Sequence, residues 1–140
     1  MKKKTVLFIC THNSARSQIA EALTNHFWKD NLYAESAGTI ATEVNPYVIK
    51  VLNSLGINTK NLYSKSIEKF ANEKFDLVIT VCDHAKEVCP FFPANNVLHK
   101  NFYDPSSTKG TETDKFNAFT ATLNEIFQWL KEIFGEPIQK

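Results

Sequence analysis

Cys10 and Arg16 stand with five residues between them in the segment Cys10-Thr11-His12-Asn13-Ser14-Ala15-Arg16-Ser17. An apolar run over 5–9 leads into this segment, and a helical pattern leaves it from Ser17. A loop between a strand and a helix can turn its backbone N–H groups and the helix N-terminus toward a tetrahedral anion, while Arg16 offers a planar fork to two of its oxygens. The same positive field favours the thiolate of Cys10, which is the form that attacks. This spacing points to covalent chemistry on phosphate or an anion of its shape. A lone cysteine after an apolar strand is commonly a small core residue. The position of Arg16, the adjoining Ser17 and the strand–loop–helix context turn the reading toward a nucleophile.

The elements that must hold this loop alternate along the chain. Residues 4–9 read as a strand and 17–28 as a helix with Ile19, Ala20, Leu23 and Phe27 on one face. Residues 32–36 form a second strand. Asn45-Pro46 supplies an N-cap and a first-turn proline for a helix that ends near Gly56, with Val48, Val51, Leu52 and Leu55 facing inward. One or two helical turns are expected over 66–72. Strands follow at 75–81 and 97–102, with Cys82 at the edge of the first. After a loop over 106–113, the final helix spans 114–134, burying Phe116, Phe119, Leu123, Ile126, Phe127 and Leu130 and stopping at Gly135. The alternation predicts an α/β fold with right-handed crossovers and a parallel sheet covered on both faces. Ligands in such sheets sit beyond the carboxyl ends of the strands, near the switch point. Cys10 and Cys82 both lie there, so both point to one crevice.

The 140 residues suit one domain over 1–140. Sixteen Lys+Arg balance fifteen Asp+Glu to a net charge of +1, without a basic stripe, which argues against a nucleic-acid or membrane partner. The first apolar run is too short for a signal-peptide core or a membrane span, so a cytoplasmic protein is expected. Three cysteines make no disulfide framework, and in a reducing compartment they read as catalytic, redox-active or metal-bound. No Cys-x-x-Cys, paired histidines or acidic cluster supports a metal, so no metal and no bound cofactor are expected.

Several motifs together carry a family resemblance: VLFICTHNSARSQIAEAL, Ser36-Ala37-Gly38, Asn45-Pro46, DLVITVCD, Cys89-Pro90 and Asp104-Pro105. The chain resembles the thioredoxin-coupled arsenate reductases, which are built on the low-molecular-weight protein tyrosine phosphatase fold. That likeness implies a flavodoxin-like three-layer sandwich, with a four-stranded parallel sheet between helices. It also implies that Cys10 attacks arsenate, with phosphate and sulfate as competing oxyanions. The loop Thr11, His12, Asn13, Ser14, Ala15, Arg16 and Ser17 binds the anion, Arg16 holds oxygens where charge builds, and Ser17 stabilises the thiolate. Asp104 matches the general acid, although Asp-Pro is also an ordinary turn dipeptide. Cys82 and Cys89 are implied to relay the oxidation through Cys10–Cys82 and then Cys82–Cys89 disulfides, which thioredoxin reduces. The expected protein is a monomer. His12 and His84 flank the sulfur sites but are left out of the catalytic set, and His26 and His99 lack motif context.

Two departures separate the chain from the phosphatases of this fold. Ala15 stands where they commonly carry a second cysteine, and Ser106 and Ser107 replace aromatics after the acid. Some reductases of the group bind potassium beside the loop, and Asn13, Glu21 and Ser36 match that site. Its remaining carboxylate position is Lys65, whose ammonium is expected to pair with Glu21 in place of the ion. The plain alternative is a solvated loop lysine. The functional alternatives are a tyrosine phosphatase, or a non-catalytic oxyanion or redox sensor, against which Asp104 counts.

The implied Cys82–Cys89 bond constrains the chain between them. A helical 82–89 would part the two Cα atoms by about 10 Å, beyond the limit of about 7 Å for a disulfide. The segment must loop, or refold once Cys82 leaves its first position. Hydrogen exchange is expected to differ across 82–92 between reduced protein and protein oxidised at Cys82 and Cys89. Identical protection in both forms rules this motion out.

Overall fold

A computed structural model describes residues 3–82 and 94–137. Its four strands are β1 (Lys4–Cys10), β2 (Leu32–Gly38), β3 (Leu77–Thr80) and β4 (Asn96–His99). They form one parallel sheet in the order β2-β1-β3-β4. The helices are α1 (Arg16–Phe27), α2 (Pro46–Ser54) and α3 (Glu112–Phe134), with short 3-10 turns at Ile67–Phe70 and Pro105–Ser107. The α/β sandwich read from the sequence is the fold observed.

β1 is an unbroken apolar run because it lies inside the sheet and is buried on both faces. Val6 and Phe8 point to one core with Ile19, Leu23, Leu52, Phe119, Ile126 and Leu130, where α1, α2 and α3 cover the sheet. Leu7 and Ile9 point the other way, to Val78, Phe70 and Phe75. β4 forms the edge and is exposed along its length.

The element boundaries expected from the sequence shift for local reasons. In α2 the Asn45 side chain accepts the Tyr47 N–H at 2.9 Å and Pro46 opens the helix, as the dipeptide implies. The helix stops at Ser54, however, so Leu55 is its C-cap and 55 % exposed rather than turned inward. Gly56, at φ 75°, then reverses the chain and Ile57 takes the buried place. α3 begins at Glu112, two residues before the start expected at 114. Thr111 and Asp114 close a capping box, and the bonds from Thr111 hold the Asp114 carboxyl below its ordinary range.

β3 is shorter than the apolar run over 75–81. At its entry, Asp76 turns its carboxylate to the Thr5 N–H at 2.9 Å. β4 ends before Phe102, which leaves the sheet to pack edge-on against Trp129, with ring centroids 5.9 Å apart. Phe116 and Phe127 are only partly buried at the margin of the core that Phe119, Leu123, Ile126 and Leu130 fill. Among the described residues, no helix is long and apolar enough to cross a membrane.

Candidate active site

Cys10 is the last residue of β1 and Arg16 the first of α1, so the loop between them closes over the carboxyl end of the sheet. Asn13 shapes this loop. Its backbone is left-handed, with φ 50°, and its side chain is fully buried. The amide nitrogen donates to Ser17 Oγ at 2.8 Å and Ser36 Oγ at 2.9 Å. The amide oxygen accepts from the Lys65 N–H at 2.7 Å and from Gln18 Nε2 at 2.9 Å. All four hydrogen-bonding capacities of the side chain are used.

This arrangement places a hydroxyl beside the Cys10 sulfur. Ser17 Oγ lies 2.8 Å from Cys10 Sγ. Asn13 donates to the same oxygen, so Ser17 Oγ links the loop amide to the sulfur. The chain of bonds continues inward. Ser36 donates to Glu21 Oε1 at 2.6 Å, and Lys65 Nζ lies 3.2 Å from the same oxygen and 3.5 Å from Glu35 Oε1. The Lys65 side chain is only 1 % exposed, so it is a buried partner of Glu21 and not a solvated loop lysine.

On the other side of the sulfur, Arg16 is buried, and its Nη1 donates to the Phe102 carbonyl at 3.3 Å. Nη2 lies 3.8 Å from Asp104 Oδ2, whose side chain is 41 % exposed. Asp104 Oδ1 is occupied, accepting from the Ser106 N–H at 3.0 Å and the Ser106 hydroxyl at 2.6 Å. The oxygen left toward the cleft is therefore Oδ2. Cys10, His12, Ser14, Ala15, Arg16, Asp104 and Ser106 enclose a cleft of about 30 Å³, a space for a small ion.

The structure thus brings Cys10, Arg16 and Asp104 together, with Asn13 and Ser17 behind the sulfur and outside the cleft wall. Thr11 is outside the wall too; its carbonyl accepts the Ile40 N–H at 3.2 Å. Cys82 is fully buried just past the end of β3, one register step beyond the level of Cys10 on the neighbouring strand. Cys82 is disulfide-bonded and Cys10 is not, so this bond does not join the two. Cys89 and His84 lie outside the described residues.

Sequence reading missed Gln18, whose Nε2 binds the carbonyls of Asn13 at 3.0 Å and Tyr63 at 2.9 Å, tying the loop to the chain before Lys65. A glutamine embedded in the buried side of a helix was the available signal. It treated Ser106 only as a departure from phosphatases, whereas Ser106 lines the cleft and holds the aspartate.

Residues 5–136 match the family model of the low molecular weight phosphotyrosine protein phosphatases. An arsenate reductase of Halalkalibacterium halodurans is 38 % identical over 132 residues, covering 94 % of this chain and 95 % of its own. The crystal structure of an arsenate reductase from Archaeoglobus fulgidus superposes with a TM-score of 0.77 at 32 % identity, over 94 % of this chain and 99 % of that one. A thioredoxin-dependent arsenate reductase of Corynebacterium glutamicum gives 0.67 at 27 % identity, over 96 % of this chain and 60 % of that one.

The Glu21–Lys65 contact carries a pH signature. Burial pushes the Glu21 carboxyl above its ordinary 4.5, against the pull of Lys65 and Ser36 and with a further push from Glu35. A carboxyl that holds its proton more tightly when folded contributes its full stability below the unfolded value. That contribution is lost as pH rises through the folded value. Glu21→Gln lacks this loss. The stability of the variant relative to wild type, from urea unfolding at several pH values, is expected to climb with pH above about 4.3 and then level off. A difference that is flat or falls as pH rises contradicts this.

Proposed function

The chain belongs to the low molecular weight phosphotyrosine protein phosphatase family, and from that premise we propose that it reduces arsenate to arsenite through a three-cysteine relay. Arg16 and the loop over 11–17 hold the anion while the Cys10 thiolate forms a bond to arsenic. Asp104 gives a proton to the departing oxygen, which leaves as water. The Cys82 thiolate then attacks Cys10 Sγ. The sulfur–arsenic bond breaks with its electron pair passing to arsenic, arsenite leaves, and a Cys10–Cys82 disulfide remains. Cys89 attacks Cys82 in turn, releasing the Cys10 thiolate and leaving a Cys82–Cys89 disulfide. Thioredoxin's dithiol reduces that bond and is itself oxidised, so the two electrons reach arsenic without a bound cofactor. We place the protein in the cytoplasm, acting as a monomer.

The observation that carries this reading is the placement of two sulfurs: Cys82 is fully buried just past the end of β3, one register step beyond the level of Cys10 on the neighbouring strand. The relay calls for a second sulfur beside the first, whereas hydrolysis of a phosphocysteine calls for none. The small polar cleft, with Ser106 beside Asp104, also suits an inorganic oxyanion. The arsenate reductases among its relatives support the substrate, and the thioredoxin-dependent one supports the reductant.

Lys65 serves in this reading as a built-in cation for Glu21. Replacing sodium by potassium is therefore expected to leave arsenate turnover unchanged, and a sharp rise with potassium overturns the substitution. The relay itself is tested by arsenate-dependent NADPH oxidation coupled through thioredoxin and its reductase. Cys89→Ser is expected to abolish multiple turnover, and activity that survives undiminished defeats the relay. Strong hydrolysis of an aryl phosphate without arsenate reduction favours the phosphatase instead.

A further inference from the structure

We propose that a cavity between α1 and residues 57–62 binds a small organic cation, a primary amine or amidine, with its charged head on Glu21 Oε2. The cavity measures about 210 Å³ and is separate from the cleft at Cys10. Glu21 forms part of its wall, although the residue is only 5 % exposed. The bonds from Ser36 and Lys65 both fall on Oε1. Oε2 takes no hydrogen bond among the described residues, yet it is not among the sealed, unpartnered atoms of the interior. A buried carboxylate thus turns an unused acceptor toward a space large enough for an organic ligand.

The surroundings select the charge and the body of that ligand. Lys65 is one ammonium facing two carboxylates, Glu21 and Glu35, so the cluster carries a net negative charge. A second cation at Oε2 completes the balance, and burial makes that contact stronger than an exposed pair. Ala22, Ile57 and Leu62 supply apolar wall for a short alkyl chain, with His26 and Asn61 nearer the mouth. Asn25, also in the wall, does not compete for the head group. Its amide oxygen takes the Ala34 N–H at 2.8 Å and its nitrogen donates to the Ala34 carbonyl at 2.9 Å.

Butylammonium is a suitable probe, with butanol as its neutral counterpart, followed by amide chemical shifts in the whole protein. Butylammonium is expected to give saturable shifts confined to 21–26 and 57–62, and butanol at the same concentration to give none. Binding is expected to weaken at least about tenfold in Glu21→Gln, the scale of one buried ionic contact. It is also expected to vanish in Asn61→Trp, which fills the mouth from an exposed position. No saturable shift, an equal response to butanol, or undiminished binding in either variant overturns the proposal. If Glu21→Gln does not fold, Asn61→Trp and the butanol comparison decide it.

Discussion

Asn13 holds a left-handed backbone inside a buried loop, and four hydrogen bonds from its side chain keep it there. The conformation is unfavourable by about 1 kcal/mol for a residue with a Cβ, though asparagine tolerates it better than most. Four buried hydrogen bonds at about 1 kcal/mol each outweigh that. The bonds reach Ser17 and Gln18 on α1, Ser36 on β2 and the backbone of Lys65, so a single amide fixes the loop against three parts of the chain. The placement of the Ser17 hydroxyl follows from one of those bonds, and through it the environment of the Cys10 sulfur. Glu21 and Lys65 extend the network by fixing Ser36.

The sheet provides the rest of the positioning. β1 lies between β2 and β3, and its carboxyl end is where the strand order reverses, the place where an open parallel sheet leaves a crevice. β2 ends at Gly38, which runs so close to the loop that an added Cβ would stand 2.7 Å from the Asn13 nitrogen and the Thr11 carbonyl oxygen. Glycine is needed there for the approach of two backbones, not for an unusual φ. The opposite wall comes from Asp104 and Ser106. Phe102 is anchored on Trp129 of α3, and its carbonyl holds Arg16. The arginine proposed to hold the anion is thereby tied to the segment carrying the proposed acid.

Features whose causes are local in sequence were legible there. Cys10, Arg16 and Ser17 announce the loop because an anion cradle is built from consecutive residues, and Asn45-Pro46 announces α2 because capping is a one-turn effect. Where distant partners decide, the sequence misled or was silent. Leu55 fits the apolar period of α2, yet Gly56 ends the helix and Ile57 fills the core instead. The strand expected over 97–102 includes Phe102, but β4 stops at His99 and Phe102 packs on Trp129, on a helix far along the chain. Gln18 offers no local motif, since its partners are the Asn13 and Tyr63 carbonyls. The pairing of Lys65 with Glu21 was reached only by likeness to a family pattern, and the burial of that pair could not be read from a lysine in a loop.

The anion cradle is indifferent to the fate of the anion it captures. In the proposed chemistry Arg16, the loop amides and an acid across the cleft stabilise attack on a tetrahedral oxyanion, and the covalent product can go to water or to a thiol. The deciding factor is which nucleophile is held at the sulfur. β3 pairs directly with β1 in parallel, so the two strands advance together and their carboxyl ends emerge side by side. Residues far apart in sequence, Cys10 and Cys82, are thus placed one register step apart by backbone hydrogen bonds that the fold already makes. In the proposed relay, a thiolate held in this way at Cys82 has an effective concentration at Cys10 far above that of a thiol in solution. In the proposed relay Cys82 at the end of β3 supplies that nucleophile and Cys89 completes the turnover, so the residues that hold the anion need not differ between hydrolysis and reduction.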